Sequence, residues 1–326
     1  MRISLVSKKS LTDIRNRICL NDWFFYQFLV VFTDELFPNA DDNFKTAFIW
    51  FTLMKFGYDS RLSFENGRIY LAVRSESKSY PGYSKKKNFY SYLTFPNSGY
   101  NIEEFFIHGK SAKDFDFSLF QYPCHETTRE IRKNIDFKIT TSEGHSVATA
   151  NVIIDLDILD HLRQFPALEF RYLVNSKLPV ETHESFFKSL NSLIEGKSES
   201  EIIQLLLSFV QTSTEYSDDL QNPSLHREKW YTPFESLYYE KSDCEDRTVL
   251  LYYLVREILD IPIILIEYPS KDHVNVGIAL TNLKTGLFYK GNYFKVFETT
   301  SNFGQDGTSQ IYRFSEFQIQ AEYFPK

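Results

Sequence analysis

The chain has 326 residues, a formal net charge of −7 and no basic stripe or nucleic-acid motif, which makes DNA or RNA a poor partner. Its 43% hydrophobic content can fill real cores, but the longest apolar run, Trp23–Phe32, is far too short to span a membrane. Three cysteines cannot form a disulfide framework, so free thiols are expected.

This length accommodates two or three domains. The 31 Phe and 21 Tyr make aromatic-heavy cores, read here as the bias of a low-GC genome rather than as a carbohydrate surface. Met1–Leu11 lacks an apolar core stretch, so no signal peptide is expected. Cytoplasm and periplasm, the latter with a trimmed leader, both stay open, and the sequence sets no oligomeric state.

In chain order, Asn21–Leu36 predicts a helix with Gln27 in its middle. Asp42–Phe56 predicts a second helix ended by Gly57. Arg61–Glu65 and Arg68–Val73 should pair across the Asn66-Gly67 turn. Residues 1–80 therefore read as one α/β unit. Tyr80–Lys87 reads as a polar breaker at its edge, the lysines in a solvated turn.

Residues 81–182 read as a β-rich, sandwich-like domain. Asp136–Thr141, Ser146–Asp155 and Leu168–Val174 alternate apolar and polar residues as half-buried strands do, the first two joined by a hairpin turn at Ser142–His145. From 183 to 326 the α/β pattern returns. Glu184–Ile194 is a helix, and Ser198–Glu201 gives a capping-box start to a helix over Ile202–Tyr216.

The chemistry concentrates in this last part. Asp243-Cys244-Glu245-Asp246 opens an apolar helix, where free N–H groups favour a thiolate while three acids oppose it. Ile261–Tyr268 and His273–Leu280 follow as buried neighbouring strands. Leu287–Tyr289 is a short strand, and Tyr293–Thr299 brings Glu298 back beside them. A nucleophilic thiol, an imidazole base and an orienting carboxylate are what acyl transfer through sulfur requires. On that pattern Cys244 is the candidate nucleophile, His273 the base and Glu298 the orienting acid. Taken alone, Cys244 would read as a small buried hydrophobe, as Cys19 and Cys124 do.

The lead-in Trp230-Tyr231-Thr232-Pro233-Phe234-Glu235-Ser236-Leu237, the Asp243–Asp246 helix start, the Phe209-Val210-Gln211 helix ending toward Tyr216 and the later His273 resemble the bacterial transglutaminase-like branch of the papain-like superfamily, Bacteroidetes type. The resemblance covers about residues 198–304. It implies an α+β fold with a papain-like, transglutaminase-like C-terminal domain, and an amidase, peptidase or acyltransferase working through a Cys–His–acid triad. It also implies Gln211 as oxyanion donor. Glu298 stands where such domains often carry Asp, before Thr299-Thr300 rather than Pro-Thr.

Trp230, Glu235, Asp243 and Asp246 are expected in support: Trp230 over the cleft, Glu235 bracing the loop, the two aspartates serving the helix start. His108, His125, His145, His161, His183 and His226 show no ligand spacing, so no metal and no cofactor is expected. The expected partner is a protein or peptide substrate, cell-wall peptide among the candidates. A silent protein- or glycan-binding module is the alternative. Sliding Asp42–Phe51 over the Cys244 helix makes residues 20–75 a degenerate copy, with Asp42 or Asn43 in the place of Cys244 and no histidine at the place of His273.

Overall fold

The computed structural model describes residues 8–17, 21–65, 67–75, 79–80, 84–87, 90–95, 105–106, 129–141, 144–163, 167–217, 229–300, 308–309 and 315–325. The chain mixes helix and strand in an α+β arrangement. It divides into two compact units: Met1–Glu126 with Gln164–Glu169, and Thr127–Arg163 with Phe170–Lys326.

The elements run α1 (Lys8–Arg17), α2 (Asp22–Leu36), α3 (Asp42–Phe56), β1 (Ser60–Glu65), β2 (Arg68–Ser75), β3 (Ser79–Tyr80), β4 (Ser84–Lys87), β5 (Tyr90–Phe95) and β6 (Phe105–Phe106). Next come β7 (Glu130–Thr141), β8 (Gly144–Asp155), α4 (Leu156–Leu162), β9 (Ala167–Leu168), α5 (Phe170–Leu173), α6 (Val180–Ile194), α7 (Glu199–Thr212) and β10 (Glu215–Tyr216). The last are α8 (Pro233–Tyr238), β11 (Lys241–Ser242), α9 (Cys244–Leu259), β12 (Ile263–Tyr268), β13 (His273–Ile278), β14 (Leu287–Tyr289), β15 (Asn292–Phe297) and β16 (Gln318–Tyr323).

In the first unit, Asn21 and Asp41 cap α2 and α3 by accepting the Phe24 and Phe44 N–H groups at 2.8 Å each. Gly57 ends α3 in the left-handed region at φ 94°, where a Cβ would clash. The β1–β2 hairpin then forms in the predicted register. It belongs to a five-stranded sheet in the order β4-β5-β2-β1-β6.

The second unit contains a five-stranded sheet in the order β14-β15-β13-β12-β16. Numbered in chain order by their own strands alone, leaving out β3, which pairs with β9, both sheets read 3-4-2-1-5, with every pairing antiparallel. The registers coincide as well. His273 pairs with Tyr268 as Arg68 pairs with Glu65, and Val276 pairs with Phe297 as Leu71 pairs with Phe95. The edge strands agree too: Leu265 faces Ala321 as Leu62 faces Phe106, and Tyr289 faces Asn292 as Lys87 faces Tyr90.

Four readings need correction. No separate β-rich domain over 81–182 exists among the described residues: β4 to β6 complete the first sheet, while β7 and β8 belong to the second unit. The physical reason lies in the hairpin edges. Thr212 and Ser208 of α7 bond the N–H and C=O of Lys138 at 2.8 and 2.5 Å. Ser189 and Ser185 of α6 accept the Asn151 and Ile153 N–H groups at 3.0 and 2.9 Å. Those side chains satisfy edges that a free two-stranded ribbon leaves open. Ile135, Phe137, Ala150, Val152 and Ile154 are buried on the same ribbon, and Phe137 meets Phe209 edge-on at 5.1 Å.

Leu168–Val174, expected as a strand, is mostly α5, because helical spacing buries Phe170 and Leu173 together. Ser84–Lys87 is edge strand β4, not a turn; a lysine run on an edge strand discourages pairing with another chain. The helix expected to reach Tyr216 stops at Thr212, since Glu215 and Tyr216 pair in parallel with Lys241 and Ser242. Ser142-Glu143, Asn66, Pro81–Tyr83, Cys19, Cys124, His108, His125 and His226 lie outside the described residues.

Candidate active site

Helix α9 starts by a capping box: Asp243 accepts the Asp246 N–H at 3.2 Å, and Asp246 accepts the Asp243 N–H at 3.3 Å. Asp246 is fully buried and also accepts the Tyr231 N–H at 2.6 Å, tying the Trp230–Leu237 segment to the helix start. From Val249 to Val255 the helix is apolar, with Val249, Leu251, Leu254 and Val255 completely buried. Such a helix lies inside its unit, so its first residue opens onto the sheet below.

Cys244 is that first residue, buried and unoxidised. The backbone of Val274, the residue after His273, adjoins its sulfur and favours its thiolate. One turn on, Thr248 shares a 2.9 Å hydroxyl bond with Thr299, the residue after Glu298, and lies 3.5 Å from the Val274 carbonyl. The face of α9 that carries Cys244 and Thr248 therefore crosses the start of β13 and the end of β15. His273 and Glu298 stand at those two places.

His273 Nε2 lies 3.0 Å from Glu298 Oε2. Asn275 Nδ2 reaches the same oxygen at 3.2 Å and sits 3.1 Å from His273 Nε2. The other oxygen, Oε1, accepts the Thr300 N–H at 3.1 Å and the Thr300 hydroxyl at 2.7 Å. An amide nitrogen and an imidazole N–H both donate, so Oε2 serves two donors and the His273 proton belongs on Nε2. That leaves Nδ1 as the acceptor nitrogen, with no partner among the described residues. Burial raises the Glu298 carboxyl, but the His273 bond and charge together with Thr300 outweigh it and hold it down at about 2.

The thiol is set the other way. Burial pushes Cys244 far up, and the charges of Glu245 and Asp243 push in the same direction; the Val274 backbone and the Arg247 charge pull the other way. Its Sγ–H donates to Glu245 Oε2 at 2.7 Å, and no hydrogen bond joins it to His273 in this arrangement. The helix N-terminus alone does not produce a thiolate here, because the side chain is dry and two acids adjoin it.

The supporting residues separate clearly. Glu235 is fully buried, pairs with Lys229 and accepts the Thr232 N–H and hydroxyl at 3.1 and 3.0 Å in the capping box of α8. It braces the loop, as the sequence suggests. Trp230 stacks on Phe170 at 4.3 Å with its plane 4° off parallel, and is buried in that stack. The Gln211 side chain donates to the Glu298 backbone carbonyl at 2.7 Å, so it braces the acid-bearing segment.

Sequence reasoning missed Asn275, Arg247, Thr248 and Thr300. The signals were present: Asn275 shares a strand face with His273 at i+2, and Thr248 shares a helix face with Cys244 at i+4. Arg247 is buried and donates to Ser242 Oγ at 3.0 Å, the Thr300 carbonyl at 3.0 Å and the Thr214 carbonyl at 2.8 Å. Nothing in the local pattern points to that reach.

Among the described residues no group of three or more His, Cys, Asp and Glu side chains is arranged to hold a metal, and no helix is long and apolar enough to cross a membrane. Comparison with protein-family models, with curated proteins and with solved structures returned no match.

Proposed function

We propose that the second unit is a papain-like, transglutaminase-like cysteine enzyme that hydrolyses or transfers amides through a thioester. The observation that carries the reading is the 3.0 Å His273–Glu298 pair at the strand ends crossed by the Cys244 face of α9. The bond through Nε2 leaves Nδ1 as the base.

In the reaction the Cys244 thiol turns from Glu245 and gives its proton to His273 Nδ1 as sulfur attacks the amide carbonyl. Glu298, already ionised, stabilises the imidazolium that forms. The N–H of Cys244, at the first helical position, has no acceptor inside the helix and can donate to the oxyanion. Gln211, whose amide donates to the Glu298 carbonyl, is the second candidate donor. The imidazolium returns its proton to the leaving amine, and the thioester then meets water or a second amine.

Water is present at about 55 M, whereas an amine must be bound and oriented, so hydrolysis is the favoured outcome. The substrate class is protein or peptide, with cell-wall peptide a candidate. The first unit fits the same proposal as a degenerate transglutaminase-like copy. Arg68 stands where His273 does, ion-paired with Asp42 at 3.9 Å, and Asn43 rather than a thiol meets the second strand.

A second reading, a catalytically silent protein- or glycan-binding module, is favoured by one observation: the buried thiol is bonded to a carboxylate rather than to the imidazole. Incubation with a peptide-amide library, with and without a labelled primary amine, separates the readings against a Cys244→Ala control. Turnover lost in that control supports the enzyme. Amine incorporation outrunning hydrolysis makes it a transferase, and no Cys244-dependent turnover leaves the binding module.

A further inference from the structure

We propose that Asn275 is a positioning residue that locks the His273 tautomer through Glu298; this rests on the cysteine-enzyme reading for its purpose. Asn275 is fully buried on a strand whose other inward residues are apolar, a costly place for a primary amide unless it is fully bonded. Yet its Oδ1 has no partner among the described residues, so its hydrogen bonding there is all on the Nδ2 side, toward Glu298. Half of the amide is left unsatisfied while the other half serves the carboxylate.

The geometry explains that imbalance. Glu298 Oε1 is saturated by Thr300, which leaves Oε2 to choose its donors. With Asn275 Nδ2 at 3.2 Å and His273 Nε2 at 3.0 Å, two donors converge on Oε2 from neighbouring positions of one strand face. Nδ2 also lies 3.1 Å from Nε2. An amide donor that spends its hydrogen on Oε2, not on Nε2, supplies no acceptor for a rotated ring and leaves Oε2 as the acceptor for Nε2–H. Without it Oε2 loses its second donor and the ring one of its neighbours, and the proton is free to move to Nδ1, where it would disable the base. Asn275 touches neither the sulfur nor the place of a scissile carbonyl; it acts through Glu298 and His273.

The test reads the imidazole directly and does not need turnover. Ring-nitrogen NMR on full-length wild type should show a single His273 tautomer, protonated on Nε2. Asn275→Leu, close in shape, and Asn275→Val, favoured in a strand, should each show both tautomers while the fold persists. In the wild type, one Asn275 Nδ2 proton should be downfield and slow to exchange. If either folded variant keeps the pure Nε2–H form, the inference is overturned. Should neither variant fold, an Asn275 Nδ2 proton pair at ordinary shifts that exchanges fast in the wild type overturns it and the slow downfield signal supports it. Mixed tautomers beside a wild type that shows no Cys244-dependent turnover support the positioning role and sink only the enzymatic reading. Wild-type turnover with the tautomer unmoved in a folded variant sinks only the positioning role.

Discussion

Asn43 accepts the Ile69 N–H at 2.7 Å, at the same strand position where the Val274 backbone adjoins the sulfur of Cys244. Asn43 and Cys244 each sit in the first turn of the helix that covers their sheet, and Ile69 and Val274 are each the second residue of the second strand. In the first unit both ends of the amide are used, since Asn43 Nδ2 also donates to the Gly67 carbonyl at 2.9 Å. A helix start and a hairpin are thereby stapled where the second unit keeps a thiol.

That staple predicts a modest stability role. Asn43→Ala should cost on the order of 1 kcal/mol, the net worth of such a hydrogen bond when the freed groups can reach water. Urea unfolding monitored in the first unit would measure it, and a loss several times larger would mean that the amide supports more than the hairpin.

The thiol should be a sluggish nucleophile in the resting protein. Glu245→Gln removes a negative charge beside the sulfur and lowers the thiol pKa, so Cys244 should be alkylated several-fold faster at neutral pH. Iodoacetamide kinetics across pH would show the change. An unchanged rate would mean that burial alone restrains the thiol.

Stability should respond to acid through Glu298. Its folded pKa, about 2, lies below the ordinary carboxyl value, so the carboxylate stabilises the fold above that ordinary value. The contribution is lost as pH falls from about 4.5 toward 2, and it amounts to roughly 3 kcal/mol at about 1.4 kcal/mol per unit. Denaturant midpoints of wild type and Glu298→Gln should diverge above that window and converge below it.

Arg247 should be costly to replace. Its three hydrogen bonds join the end of α7, β11 and the Thr300 carbonyl, and its guanidinium lies 5.4 Å from the Tyr216 ring. Arg247→Met strands the Thr300 and Thr214 carbonyls at a buried side chain and should cost about 2–4 kcal/mol. Arg247→Lys should recover only part of this, because an ammonium cannot span the fork. Thermal unfolding of both variants tests the order.

Local pattern determined much of this protein. Capping residues, the Asn66-Gly67 turn, the apolar run of α9 and the order Cys244, His273, Glu298 are short-range signals, and the elements they imply lie within a few residues of the predicted ends. The helix, helix, strand, strand order could likewise be read on both sides. Tertiary structure alone decided the rest. The β7–β8 ribbon reads as a half-buried sheet by itself, but only its packing on α6 and α7, apolar contacts together with serine and threonine bonds, decides that it belongs to the second unit. Strand order and register of the two sheets depend on pairings between distant segments, which no window of sequence contains. The same holds at the site. A cysteine at a helix start among three acids leaves the thiolate contested in the sequence, whereas dryness, a product of packing, is the largest influence pushing the thiol up.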